Sequence, residues 1–107
     1  MEIELRGTTK IGGYEYKIQF TPNLRVDQGW EGCINHRDKV IEIDPCVEGY
    51  RRLTVFLHEE LHLIEMVYEC GLDDATIMRL ANGFAEFLTG TLGIEISWSA
   101  LDQLEPI

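Results

Sequence analysis

From Tyr50 to Cys70 the apolar residues recur at helical spacing, and the rest of the fold must be built around that run. On a wheel of about 100° per residue, Leu53, Phe56, Leu57, Leu61, Leu63, Ile64 and Val67 fill one arc. Arg51, Thr54, His58, His62, Glu65 and Glu69 lie within about 40° of a line on the opposite side. A helix patterned this way buries the first arc against another element and turns the second toward water or a cleft. Gly71 fits the position just past the end, where a left-handed residue closes the last turn. Glu60 breaks the pattern by pointing into the apolar arc. A carboxylate there needs an arginine, a partner subunit or an uncovered stretch of helix.

The polar line carries His58-Glu59-Glu60-Leu61-His62, an HExxH pentapeptide. Residues i and i+4 of a helix differ by about 40° in direction and about 6 Å in height. Two imidazoles at that spacing can reach one tetrahedral ion at Zn–N distances of roughly 2.0–2.1 Å. Glu59 then stands beside the ion, placed to take a proton from water held there. With 3 His and 13 Glu in 107 residues, the pentapeptide arises by chance with a probability of about 1%. The competing reading is a pair of solvated histidines on a charged helix face.

A catalytic zinc takes three protein ligands and a water. The downstream candidates for the third are Glu65, Glu69, Asp73, Asp74 and Glu86. Tyr68 stands where the metzincin pattern requires histidine, which excludes that arrangement. A second helix is expected from Asp73 to about Leu92, ended by Gly93, with Asp73 or Asp74 as its cap. Its apolar arc holds Ile77, Met78, Leu80, Ala81, Phe84, Ala85 and Leu88. Asp74 lies in that stripe, in line with Met78, Ala81 and Ala85, whereas Glu86 lies outside it beside Arg79 and Asn82. A carboxylate in a core stripe is costly unless it caps, pairs or binds metal, which favours Asp74, with a helix cap as the alternative. A straight first helix would end about 12 Å past His62, so Asp74 reaches the histidines only if the helix stops early or the second crosses it steeply. Glu65 and Glu69 share the histidine face but have poor angles onto the same ion.

The first half of the chain reads as strands. Tyr14–Phe20 alternates, with Tyr14, Tyr16, Ile18 and Phe20 on one face, and Gly12-Gly13 supplies a tight turn back to residues 8–11. Residues 21–32 read as a loop, and residues 33–36 and 39–44 flank a turn at Arg37-Asp38, the second run stopping at Asp44-Pro45. Residues 94–107 are expected to pack back on the body. The expected fold is α+β, a single domain over residues 1–107: an antiparallel sheet of about three to four strands against two main helices, the first carrying HExxH. The formal charge of −10 repels phosphate backbones and argues against a nucleic-acid partner. No apolar run is long enough to span a bilayer, and the charged start MEIELRGTTK lacks the apolar core of a secretion signal, so a cytoplasmic protein is expected. Cys33, Cys46 and Cys70 lack CxxC spacing and read as reduced thiols. Cys33-x-x-His36 reads as a surface histidine beside a small buried cysteine rather than half of a metal site.

Three stretches, KIGGYEYKIQF, VIEIDP followed by LTVFLHEELH, and DDATIMRLANGFAEFL, resemble the small zincin-like metallopeptidases of phages and prophages, related to the ImmA/IrrE group. The resemblance covers most of residues 8–90. In similar sequences an acidic residue or histidine often stands seven residues before the alanine of the following helix; here that alanine is Ala81 and the position is Asp74. The resemblance implies a zincin-like fold, a gluzincin-type Zn²⁺ site and peptide hydrolysis. Glu60, where a leucine-like residue is usual, and Asp rather than Glu at position 74 depart from the family's pattern. The expectation is therefore a zinc metallopeptidase with metal ligands His58, His62 and Asp74. Metal-activated water attacks a peptide carbonyl with Glu59 as general base. The partner is a protein or peptide substrate, with no nucleic acid and no membrane. The peptide is expected along an edge strand formed by residues 39–44, and His36, Tyr50 and Tyr68 are candidates to stabilise the oxyanion. The alternative is a non-catalytic acidic protein that keeps the metal for structure and binds a basic partner.

Overall fold

The computed structural model describes residues 1–103. A short strand, β1 (Glu2–Glu4), leads into β2 (Thr8–Ile11), which pairs antiparallel with β3 (Tyr14–Phe20). Gly12 and Gly13, at φ +58° and +88°, make the turn that brings Ile11 opposite Tyr14. Gly12 also has to be glycine because a Cβ there would lie 2.3 Å from Val67 Cγ1. After Phe20 the chain does not turn straight back. Residues 21–31, with the short helix α1 (Leu24–Gln28), carry it past one strand position before β4 (Gly32–Asn35) begins. β4 then returns through the Arg37-Asp38 turn, where Asn35 Oδ1 accepts the Asp38 N–H at 3.0 Å, into β5 (Val40–Ile43).

β5 inserts between β3 and β4, antiparallel to β4 and parallel to β3, with Phe20 opposite Ile43. β7 (Asp102–Gln103) runs parallel to the end of β3, on the edge shared with β2. The molecule is therefore α+β, but its main sheet is five-stranded and mixed rather than a three- to four-stranded antiparallel one. The physical reason is the 21–31 excursion, which lets the later strand fill the gap left beside β3. The same insertion corrects the expectation for residues 39–44: β5 is interior, and β4 is the edge strand on that side. A second, two-stranded parallel sheet joins β1 to β6 (Glu95–Ser97).

α2 (Gly49–Tyr68) crosses the sheet. Its Val55, Phe56 and Leu63 pack on Tyr16, Ile18, Phe20, Ile41 and Ile43, all buried. Trp98 closes the end of this core against Phe56 and Phe20. Tyr14, expected on the buried face, is exposed at the sheet's end. α2 stops at Tyr68, with Glu69 (φ +51°) rather than Gly71 taking the left-handed capping position directly after it. The link 69–73 reverses the chain into α3 (Asp74–Glu86), which buries Ile77, Ala81 and Ala85. Met78, Leu80 and Phe84, expected in the core stripe, are exposed because only a narrow strip of α3 is covered. A π-helical turn, Phe87–Thr91, ends this arm. Residues 104–107, part of the expected packed tail, lie outside the described residues. Among those described, no helix is long and apolar enough to cross a membrane.

Asp44, at the end of β5, fastens the 21–31 excursion to the sheet. Its buried carboxylate accepts the Arg25 N–H at 2.7 Å and the Cys46 N–H at 2.9 Å. Burial alone would raise its pKa, but those backbone donors outweigh burial and hold it below the usual carboxylate range. Asp44→Ala is expected to cost about 2–4 kcal/mol in chemical denaturation, since hydrogen bonds to a charged group are lost and two N–H groups are orphaned. Because the folded-state pKa is depressed, this stabilisation is present above the unfolded pKa of about 3.9 and fades as pH falls through the folded value. The wild-type and variant stabilities should therefore converge in acid, and a gap that is constant from pH 7 to pH 2 contradicts this role.

Candidate functional site

The turn of α2 that carries His58 and His62 faces the first turn of α3. At the α3 N-terminus two adjacent aspartates divide two tasks. Asp73 is the cap: its Oδ1 accepts the Thr76 N–H at 2.8 Å. That leaves Asp74, one residue on, free to turn back toward α2, where its Oδ1 lies 2.8 Å from His62 Nε2 and 3.0 Å from His58 Nε2. α2 stops at Tyr68, and the 69–73 link turns the chain back so that the start of α3 stands beside the histidines.

The two imidazole nitrogens are themselves 3.0 Å apart. Hydrogen bonds cannot satisfy all three sides of this triangle at once. Each ring nitrogen offers in its plane either one N–H or one lone pair, and the carboxylate offers only lone pairs. If both histidines donate to Asp74, two N–H groups confront each other. If one histidine donates to the other, the acceptor's lone pair faces the carboxylate at 2.8 or 3.0 Å. A cation removes the conflict, because all three atoms can then present lone pairs to it. A tetrahedral zinc with bonds of roughly 2.0–2.1 Å needs its ligand atoms roughly 3.3 Å apart, within a few tenths of an ångström of the separations here. Two imidazoles and a carboxylate are also a donor set that zinc accepts. Among the described residues, His58, His62 and Asp74 form a group of side chains whose ligand atoms converge in this way. The hydrogen bonds from His62 and then His58 hold the Asp74 carboxyl below its usual range.

Glu59 lies beside the cluster, partly buried where α2 passes over β4. The approach is close: a Cβ at Gly32 would meet Val55 Cγ1 at 2.7 Å, the Glu42 carbonyl at 3.3 Å and Glu59 Cγ at 3.4 Å. Burial raises the Glu59 pKa, while His58 and His62 pull it down. All four residues line a cleft of about 780 Å³ that runs along β4 and is walled on its far side by residues of the 21–30 segment, Trp30 and Asp27 among them. Nothing in the residue pattern of that segment signalled this wall. Gly32 was legible only as a break before the 33–36 run.

The other candidates are dispersed. Asp73 is occupied as the helix cap, Glu69 caps α2, and Glu86 is exposed at the far end of α3, while Glu65 lies outside the converging group. Cys33 donates to Glu42 Oε2 at 3.2 Å, and burial pushes its thiol up to about 12. His36 bonds instead to Tyr16, so Cys33 and His36 have separate partners and form no metal half-site. The three cysteines are free. His36 lines the cleft, whereas Tyr50 lines a separate hollow with Leu53 and Trp98, and Tyr68 lies against Gly12. Comparison with protein-family models, curated proteins and solved structures gave no match.

Among the described residues Glu60 meets no arginine. Its Oε1 accepts the Thr9 hydroxyl at 2.6 Å across to β2, and its Oε2 is buried with no partner among the described residues. Burial raises its pKa. Glu60→Leu is expected to stabilise the fold by about 1 kcal/mol, because it relieves an unsatisfied buried oxygen on the apolar arc. In a chain of this size that is a rise of roughly 4–6 °C in Tm, measurable by calorimetry. A lower Tm would show that the Thr9 bond outweighs the orphaned oxygen.

Proposed function

We propose that this chain is a zinc-dependent metallopeptidase with a zincin-like fold. The observation that carries the reading is the convergence of His58 Nε2, His62 Nε2 and Asp74 Oδ1 within 2.8–3.0 Å of one another, beside Glu59 in an open cleft. Such a triangle of lone pairs fits a cation, and an adjacent, partly buried carboxylate fits proton transfer.

Bound Zn²⁺ supplies Lewis acidity, polarising a peptide carbonyl and lowering the pKa of water toward about 7. Glu59 accepts the proton of the attacking water and returns it to the departing amine nitrogen as the C–N bond breaks. Its burial-raised pKa suits that shuttle, since a base works best when its pKa approaches the ambient pH. Asp74 would contribute one negative charge to the ligand set. β4 is hydrogen-bonded to β5 on one side, so its other edge is available to an extended peptide lying across the cleft. Among the described residues, the cleft walls include Asp27, Glu42, Glu59 and Asp74 but no lysine or arginine.

Protein purified without added metal should carry about one zinc per chain by elemental analysis, and chelation should lower its Tm because the metal binds the native state. Glu59→Gln is expected to keep the zinc and lose hydrolysis of a denatured protein by about 10²–10⁴-fold. His62→Ala should lose both metal and activity, and Asp74→Ala should weaken zinc markedly. Absence of zinc even after reconstitution removes the reading. Zinc without wild-type hydrolysis favours the metal as a structural element of a binding protein.

A further inference from the structure

One polar pair, of which only the histidine reaches the cleft, has no part in the reading above. The Tyr16 hydroxyl and His36 Nδ1 are 2.9 Å apart, the rings meeting edge to face at a 5.9 Å centroid separation. Tyr16 lies in the middle of the core, 2% exposed, and it does not reach the cleft. His36 sits just past the end of the edge strand β4 and does.

The direction of this hydrogen bond follows from what surrounds the phenol. Among the described residues, His36 Nδ1 is the side-chain partner of the Tyr16 hydroxyl. Were Nδ1–H the donor, the phenolic proton would have no protein acceptor among the described residues, a cost comparable to a lost hydrogen bond. With the phenol donating, its proton is satisfied and Nδ1 is the acceptor. Burial, then the nearby Tyr14, raises the Tyr16 pKa, so the phenol keeps the proton that it donates. A neutral imidazole that accepts at Nδ1 must carry its proton on Nε2. The buried tyrosine therefore fixes the tautomer of a histidine whose other face borders the cleft.

We infer that His36 is a catalytic hydrogen-bond donor of this site: its Nε2–H, held in that tautomer by Tyr16, binds the carbonyl oxygen of the scissile peptide as negative charge develops on it. This rests on the peptidase reading. Of the three side chains that the sequence offered for the role, His36 is the one in the same cleft as His58, Glu59, His62 and Asp74. It approaches from the sheet side, opposite the α2–α3 side that supplies the ligand cluster. Tyr16 is a positioning residue, acting through the imidazole. A preorganised donor aimed at developing charge is a large contributor to catalysis, and a single one is worth about 10²–10³-fold in kcat.

The test compares wild type, His36→Ala, His36→Gln and Tyr16→Phe, each with its zinc content measured, on one fluorogenic peptide. His36→Ala should keep its zinc and lose about 10²-fold in kcat with little change in KM. His36→Gln, which restores an N–H donor, should recover part of the loss. Tyr16→Phe keeps the buried ring and removes only the tautomer lock, so a smaller fall in kcat is expected. Independently of turnover, ¹⁵N spectra of the wild type should show His36 protonated on Nε2 and unprotonated on Nδ1, with that preference weakened in Tyr16→Phe. Unchanged kcat in His36→Ala, a loss confined to KM, or a His36 proton on Nδ1 overturns the inference while leaving the peptidase reading standing. A zinc-loaded wild type with no turnover overturns both, and the ¹⁵N result then still reports whether the tyrosine sets the tautomer.

Discussion

The distance between α2 and β4 is the constraint on which the cleft depends, and Gly32 sets it. Any side chain at that position would drive into Val55 and press on the Glu42 carbonyl and Glu59. With glycine there, the helix lies close enough for its apolar arc to bury Val55, Phe56 and Leu63 against Ile41 and Ile43 while its polar line clears the edge of the sheet. One helix thereby serves two purposes. Its inner face holds the core together, and its lateral face presents His58, Glu59 and His62 to a space that the sheet does not fill. The scaffold's rigidity passes directly to the cleft, because the residues that face it and the core residues share one backbone.

The converging cluster also needs a carboxylate from outside that helix, and the chain supplies it with two consecutive acidic residues. A single aspartate at the start of α3 would have to choose between the N–H groups of its own first turn and the histidines opposite. Asp73 takes the first task and Asp74 the second. The positive end of the α3 dipole favours both carboxylates. This division explains why a charged residue can stand in line with the apolar stripe of α3 without cost to the core: at the first helical position it looks along the interface between the helices rather than into it.

The two long helices, the Gly12-Gly13 hairpin and the β4–β5 turn were legible in the sequence because each rests on a local signal: helical spacing, a glycine pair, a polar break between β-branched runs. His58, Glu59, His62 and Asp74 were legible for the same reason, since HExxH spacing and a misplaced carboxylate are local patterns too. What escaped were the features set by chain segments meeting at a distance. The insertion of β5 between β3 and β4, and hence the identity of the edge strand, follows from the path of residues 21–31, which carries no periodic pattern to read. The terminal pairing of β1 with β6 joins three-residue strands too short to show alternation. Leu80 and Phe84 misled in the opposite sense: the apolar arc of α3 is wider than the strip that α2 covers.

The placement of the two tryptophans separates two optical reports that most small domains mix. Trp98 is wedged between Phe20 and Phe56, with the Arg52 guanidinium 5.7 Å from its ring, so its emission follows the integrity of the core. Trp30 stands 54% exposed on the wall of the cleft, where a soluble quencher reaches it without unfolding anything. A Trp30→Phe form is thus a clean indicator of melting, and a Trp98→Phe form a clean indicator of what enters the cleft, with no dye attached to either.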